Sequence, residues 1–417
     1  MRSERMTCQM RHTLRVSRLW KILLKTLFAV PLSARFFILP SVLLFGSVEA
    51  MQAQTEHLLY SFAGNPDGAV PYASLVRHNG IFYGTTVSGG TFGDGTVFKV
   101  TITGKETVLH SFSGGADGSF PYGSLVFDKL GNLYGTTSGG GTFNSGTVFE
   151  ITSSGTEAVL YAFTGGADGS TPYAGLVFDK LGNLYGTTFV GGTFNSGTVF
   201  KLSPSRVETV LYSFTGGADG NGPIAGLVLD PSGNLYGTTP AGGMSCLGGS
   251  GSGCGVVFEV TSGSEKVLHS FTGDVVDGLL PSYGSLARAG ARLYGTTWQG
   301  GQNDRGTVYE VNTSGGETVL FSFLVGVTGY TPNGTLIFDK YGNLYGTTVN
   351  SGTPGGCGAI FEISPSAGFL ILYDFTINRP DGCNPYGGLV RDTKGNLYGT
   401  TANGGTFGKG TLFELTP

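Results

Sequence analysis

The chain reads as an all-β protein, a closed seven-bladed propeller of four-stranded blades. Three observations predict it. Tyr-Gly-Thr-Thr recurs with its tyrosine at Tyr83, Tyr134, Tyr185, Tyr236, Tyr294, Tyr345 and Tyr398, at successive spacings of 51, 51, 51, 58, 51 and 53 residues. A fixed period of this length marks an array of one supersecondary unit. Within each unit, four runs of four to six β-branched or aromatic residues are bounded by Gly, Asn, Asp, Pro or Ser, the pattern of short strands. Beyond residue 55 there is no long helical periodicity.

Residues 174–214 show the unit in order. Ala174-Gly175-Leu176-Val177-Phe178-Asp179 supplies strand A, innermost because its small entrance residues suit a crowded axis. Asn183-Leu184-Tyr185-Gly186-Thr187-Thr188 supplies strand B, Gly197-Thr198-Val199-Phe200-Lys201-Leu202 strand C, and Thr209-Val210-Leu211-Tyr212-Ser213-Phe214 strand D. In this phase residues 57–62 form a spare D strand, while residues 410–415 form a C strand with no D after it. Pairing the N-terminal strand with the last blade closes the ring and hides a sticky edge. The A–B and C–D turns are short. The D–A and B–C loops are long and share one face, where function is expected.

Residues 1–53 differ in kind, holding eight of the basic residues and two acids, followed by an apolar run from Phe36 to Phe45 and small residues near Ala50. This is the pattern of a secretory signal peptide, with a retained anchor as the competing reading. The propeller is then assigned to residues 54–417, with 16 basic and 26 acidic residues and a net charge of −10. That balance disfavours nucleic acid and anionic membrane surfaces as partners. With no apolar C-terminal tail, the processed chain is expected to be soluble, monomeric and secreted, periplasmic or extracellular. Four cysteines remain beyond the signal, and the bridges Cys246–Cys254 and Cys357–Cys383 are expected, the first pair enclosing one seven-residue Gly/Ser loop and the second lying in two loops side by side on one face. Zinc is the alternative for these cysteines, but no histidine stands at ligand spacing, so no metal residue is assigned.

The string Gly-Asn-Leu-Tyr-Gly-Thr-Thr, a Gly-Gly loop and Gly-Thr-Val-Phe resembles the GloVer-type tandem repeat of exported bacterial proteins, over residues 56–417. The resemblance implies export and a propeller-like fold; it brings no established activity. Family members carry a variable C-terminal anchor, and none is expected for this chain, which puts surface attachment in question. More loosely, residues 179–185 are similar to the A–B hairpins of NHL and gluconolactonase-type propellers, whose catalytic metal ligands find no counterpart here.

Candidate ligand contacts lie on the long-loop face. Asp-Gly recurs at Asp67, Asp117, Asp168, Asp219, Asp277 and Asp381, with Thr328-Gly329 in blade six. Carboxylates in a ring suit calcium or sugar hydroxyls, but one per blade is too sparse to share an ion, and Asp-Gly is a strong turn dipeptide. Tyr122 and Tyr173, with Tyr72, Tyr283 and Tyr386, stand at the strand A entrance, for sugar stacking or for packing between blades. Blade five alone has Trp298, Gln302, Asn303, Asp304 and Arg305 in its B–C loop. The histidines are read as lacking a repeated acidic partner. The leading expectation is a non-catalytic exported module that binds carbohydrate or a cell-envelope protein, without cofactor. The alternatives are a propeller glycosidase, lyase or lactonase with its site near blades four and five, and a purely structural module.

Overall fold

A computed structural model describes residues 54–416, apart from 245, 247–252, 262–263, 282, 352 and 378–379. The expected signal peptide lies outside these residues. No helix occurs among them, and seven antiparallel sheets follow one another as the blades of a β-propeller. In blade 2 the strands are Val126–Phe127, Leu133–Thr137, Thr147–Ile151 and Glu157–Ala162, hydrogen-bonded in that order from the axis outward. The seventh blade takes its outer strand from the N-terminus: Thr55–Ser61 runs antiparallel to Thr411–Thr416, pairing Thr55 with Thr416 and Ser61 with Thr411.

Each invariant position of the repeat has a structural task. At the A–B turn, the Asp128 carboxylate accepts the backbone N–H groups of Leu130 (2.8 Å) and Asn132 (2.9 Å), an Asx turn. Tyr134 Oη then reaches back between two carboxylates, donating to Glu150 (2.8 Å) with Asp128 3.2 Å away. Gly135 is required because Phe149 of strand C covers it; a Cβ there would lie 2.5 Å from the Phe149 ring. Thr136 Oγ1 donates to the Ala174 carbonyl of the next blade (2.7 Å), and the same link recurs from Thr85, Thr187, Thr347 and Thr400. Thr137 pairs with Thr147 on strand C (2.8 Å).

Between blades the core is aromatic. At every junction a phenylalanine following strand D meets the ring on strand C of the next blade, as in Phe112–Phe149 (5.1 Å) and Phe163–Phe200 (5.1 Å). Burial of each such ring is worth roughly 1.5–3 kcal/mol, and the edge-on geometry adds to it. Blade 5 alone substitutes Tyr309 for the strand C phenylalanine, against Phe271.

Strand A is shorter than expected, two or three residues in each blade. The small pairs ahead of it do not join the ladder, because there the backbones of adjacent blades converge. A Cβ on Gly175 would stand 2.5 Å from the Ser124 carbonyl oxygen, and one on Gly123 would stand 2.7 Å from the Ala174 carbonyl carbon.

Candidate functional site: the axial mouth

Seven strand A entrances meet at the axis, and the side chain just ahead of each small pair is set at the mouth of the central channel. Five blades place Tyr72, Tyr122, Tyr173, Tyr283 and Tyr386 there; blade 4 places Ile224 and blade 6 places Asn333. Tyr72 stacks on Tyr386 (4.2 Å, planes 23° apart) and meets Tyr122 edge-on at 5.6 Å, while Tyr122 meets Tyr173 edge-on at 5.2 Å. Burial, then the neighbouring phenols, raise Tyr72, Tyr122 and Tyr283 above the ordinary tyrosine pKa, so the hydroxyls stay protonated. Below them lie Ser74, Ser124, Ser285 and Thr335. The cavity is about 130 Å³, and among the described residues its lining holds no charged side chain. It is smaller than the roughly 300–1,000 Å³ of pockets that engulf a whole small molecule. A ligand would therefore insert only one end.

Trp298 stands beside this mouth, against Asn333. It follows Tyr-Gly-Thr-Thr in blade 5, and its indole Nε1 donates to Asn333 Oδ1 at 2.8 Å. Asn333 Nδ2 in turn donates to the Tyr386 carbonyl (3.1 Å), and the Trp298 and Tyr283 rings lie 6.1 Å apart. Phe189 holds the equivalent place in blade 3, against Tyr173 at 5.6 Å. Trp298 and the tyrosines, separate candidates in the sequence, are thus neighbours linked through Asn333. Gln302, Asn303, Asp304 and Arg305 are exposed. Asp304 Oδ1 accepts the Gly300 N–H (2.9 Å), as Asn144 and Asn195 do for their own loops. Arg305 lies over the Tyr330 ring, 5.4 Å from its centre.

The Asp-Gly set has local partners. Asp168 accepts from Tyr161 Oη (2.9 Å), the Thr164 N–H (2.7 Å) and the Thr164 hydroxyl, and Asp219 repeats this with Tyr212 and Thr215. Asp117 accepts the Ser113 N–H (2.9 Å) and lies 3.3 Å from His110 Nε2. In blade six Thr328 Oγ1 accepts the Leu324 N–H (2.7 Å) in its stead. The reading of the histidines is corrected here: His110 and His269 both face a member of this repeated set, Asp117 and Asp277. Those partners lie seven and eight residues downstream, across a turn rather than along a strand.

Sequence reasoning also missed the strand D glutamates. Glu106, Glu157, Glu208, Glu265 and Glu317 are half-buried, and burial, then the Asp carboxylate of the preceding blade, raises each to about 7. Their signal was an acid recurring six residues before the buried phenylalanine of strand D. Both expected disulfides form, with Cα–Cα distances of 5.3 Å for Cys246–Cys254 and 5.1 Å for Cys357–Cys383. Among the described residues no helix is long and apolar enough to cross a membrane.

Three solved structures share the architecture. The extracellular domain of a one-component system from B. thetaiotaomicron is similar at TM-score 0.54 and 10% identity, over 87% of this chain and 40% of that one. PorZ, a surface component of the type-IX secretion system of Porphyromonas gingivalis, is similar at TM-score 0.51 and 18% identity, over 83% of this chain and 46% of that one. A protein of Bacteroides uniformis named as a 6-phosphogluconolactonase is similar at TM-score 0.50 and 16% identity, over 79% and 90%. The chain thus spans less than half the length of the first two, and at these identities the likeness shows the fold alone. No curated protein matches. The family model of the Gloeobacter/Verrucomicrobia repeat matches residues 46–250 and 243–417, so the whole propeller is accounted for, and the chain belongs to the Gloeobacter/Verrucomicrobia repeat family.

Proposed function

We propose that this protein is an exported, non-catalytic binding module that takes the end of a neutral carbohydrate into its axial mouth, at the cell envelope. The observation that carries this reading is the uncharged lining of the mouth, five tyrosines with serine and threonine hydroxyls beneath them. Aromatic faces stack on the C–H faces of sugar rings, and neutral phenols and hydroxyls both donate to and accept from sugar hydroxyls. A phosphorylated or carboxylated ligand would find no cation there. Glycoside hydrolysis by the common route needs two carboxyl groups flanking the bond, and none lines the mouth. Export is supported by the signal-like composition of residues 1–53 and by the two disulfides. Two of the similar structures carry names of extracellular or surface components.

The test is a glycan array of neutral and anionic sugars probed with the purified protein and with Trp298→Ala. Retention of neutral glycans by the native protein, lost in the variant, is the expected result. No retained glycan, or retention of anionic glycans alone, would overturn the reading.

A further inference from the structure

We infer that His269, Asp277 and Glu317 form a binding site for one divalent transition-metal ion, with Zn²⁺ as the representative, at the junction of blades 4 and 5. His269 is on strand D of blade 4 (Ser264–Ser270), Asp277 is in the loop leaving that strand, and Glu317 begins strand D of blade 5 (Glu317–Ser322). One ligand atom from each lies within 4.8 Å of the others, and no other group of three metal-ligating side chains among the described residues meets that distance. His269 Nε2 and Asp277 Oδ1 are 3.2 Å apart. That is long for a charge-assisted hydrogen bond, at about 2.7–2.9 Å. It is just under the edge, about 3.3–3.6 Å, of a tetrahedron whose metal bonds are about 2.0–2.2 Å, as the 3.3 Å between His110 and Asp117 is at its lower end, so the third ligand is what sets this junction apart.

The third ligand is held ready. Glu317 Oε1 is buried and accepts no hydrogen bond, a state shared by the same atom of Glu106, Glu157, Glu208 and Glu265 and one that costs free energy unless a cation or proton compensates it; among the described residues only Glu317 has an imidazole nitrogen and a second carboxylate within 4.8 Å. Asp277, 6% exposed, is oriented by the Thr272 N–H (2.8 Å) and hydroxyl (2.9 Å) on Oδ2 and by the Gly278 N–H (2.6 Å) on Oδ1. Such hydrogen bonds fix a ligating carboxylate in place. The loop bearing Asp277 rests on the Cys246–Cys254 bridge: a Cβ on Gly273 would stand 3.0 Å and 3.3 Å from the two sulfurs. One imidazole nitrogen with two carboxylate oxygens suits zinc better than magnesium or calcium, which take all-oxygen shells. Water completes the coordination through the half-open side of Glu317.

The other junctions serve as internal controls. Tyr161, Tyr212 and Tyr60 stand where His269 does, each donating to its Asp at 2.8–2.9 Å. A protonated phenol makes that hydrogen bond and is a poor metal ligand. At the junction of blades 1 and 2 His110 keeps the imidazole, but its Asp is seven residues away rather than eight, and Glu157 does not close the triad to the same distance.

Calorimetric titration of chelator-treated protein with Zn²⁺ tests the site. The expected result is one-to-one binding that weakens about tenfold or more in both His269→Tyr and Glu317→Gln and is unchanged in His110→Tyr. His269→Tyr takes the residue type of the sister junctions, so it is expected to fold, and a melting curve without metal checks this. Absence of Zn²⁺ binding by the native protein, or equal binding by folded His269→Tyr, would overturn the assignment.

Discussion

The ring of Phe321 lies flat on that of Phe369, with centroids 4.0 Å apart and planes 4° apart. The two residues occupy, at the junction of blades 5 and 6, the positions held by Tyr161 and Glu208 at the junction of blades 2 and 3. The Asp between them is replaced as well, by Thr328. Two of the three polar members have thus been exchanged for an aromatic pair, while Thr328 keeps the turn hydrogen bond, and the fold accepts either arrangement. An apolar pair that replaces a buried polar network in full leaves no orphaned group, whereas removal of one member does.

That exchange gives the glutamates a measurable role. Glu106, Glu157, Glu208 and Glu265 are raised to about 7, by burial first and by Asp67, Asp117, Asp168 and Asp219 second. A folded-state pKa above the unfolded value means the native protein holds extra protons between about pH 4.5 and pH 7. Stability from these groups is therefore full below about pH 4.5 and is lost as pH rises through 7. Each side chain is half-exposed, so solvent screening reduces the effect to on the order of 1 kcal/mol apiece. Thermal melts are expected to show a higher midpoint at pH 5 than at pH 8, and a combined Glu→Gln variant at the four positions is expected to flatten the difference. A midpoint that rises with pH across this window would contradict it.

Gly135 tests the packing logic of the repeat. Gly135→Ala drives a methyl to 2.5 Å from Phe149 Cζ and 3.0 Å from Leu125 Cδ2. Overpacking of this kind costs about 1–3 kcal/mol. Urea denaturation is expected to show that loss, and Phe149→Leu in the same chain is expected to recover part of it. Equal destabilisation with and without Phe149→Leu would show that the ring is not what excludes the methyl.

The two disulfides differ in the chain they close. Cys357–Cys383 spans 26 residues and Cys246–Cys254 spans 8. Loop-closure entropy gives about 3.5 kcal/mol for the longer and about 2.5 kcal/mol for the shorter. Replacing Cys357 and Cys383 by alanine is thus expected to lower the denaturation midpoint more than replacing Cys246 and Cys254. The reverse order would assign the bridges an effect on the native state instead.

Much of the fold was legible because each repeated residue answers a need that recurs seven times. Gly under Phe, Thr to the next blade and Asp at the A–B turn leave a periodic trace, and the strand count at both ends implies the closure seen between Thr55–Ser61 and Thr411–Thr416. The length of strand A was not legible, since it depends on how closely seven backbones approach the axis. The mouth was legible only in parts. Tyr122 and Tyr173 stand out by repetition and Trp298 by its rarity, but their meeting place depends on Asn333, a departure from the tyrosine pattern 35 residues from Trp298 in sequence. Gln302 to Arg305 drew attention by their polarity, yet Asp304 serves its own loop. Trp298 and Asn333 both depart from the repeat, and a single departure carries little signal until the ring brings several together.

The chain has two tryptophans, Trp20 and Trp298. In a Trp20→Phe protein, all indole emission therefore reports on the mouth. Titration of this protein with neutral oligosaccharides, followed by fluorescence, tests the central claim most directly. A saturable change in emission that disappears in the additional variant Tyr122→Ala is the predicted result. Emission that stays constant while the same sugars are retained by the protein would place binding away from the axial mouth and contradict it.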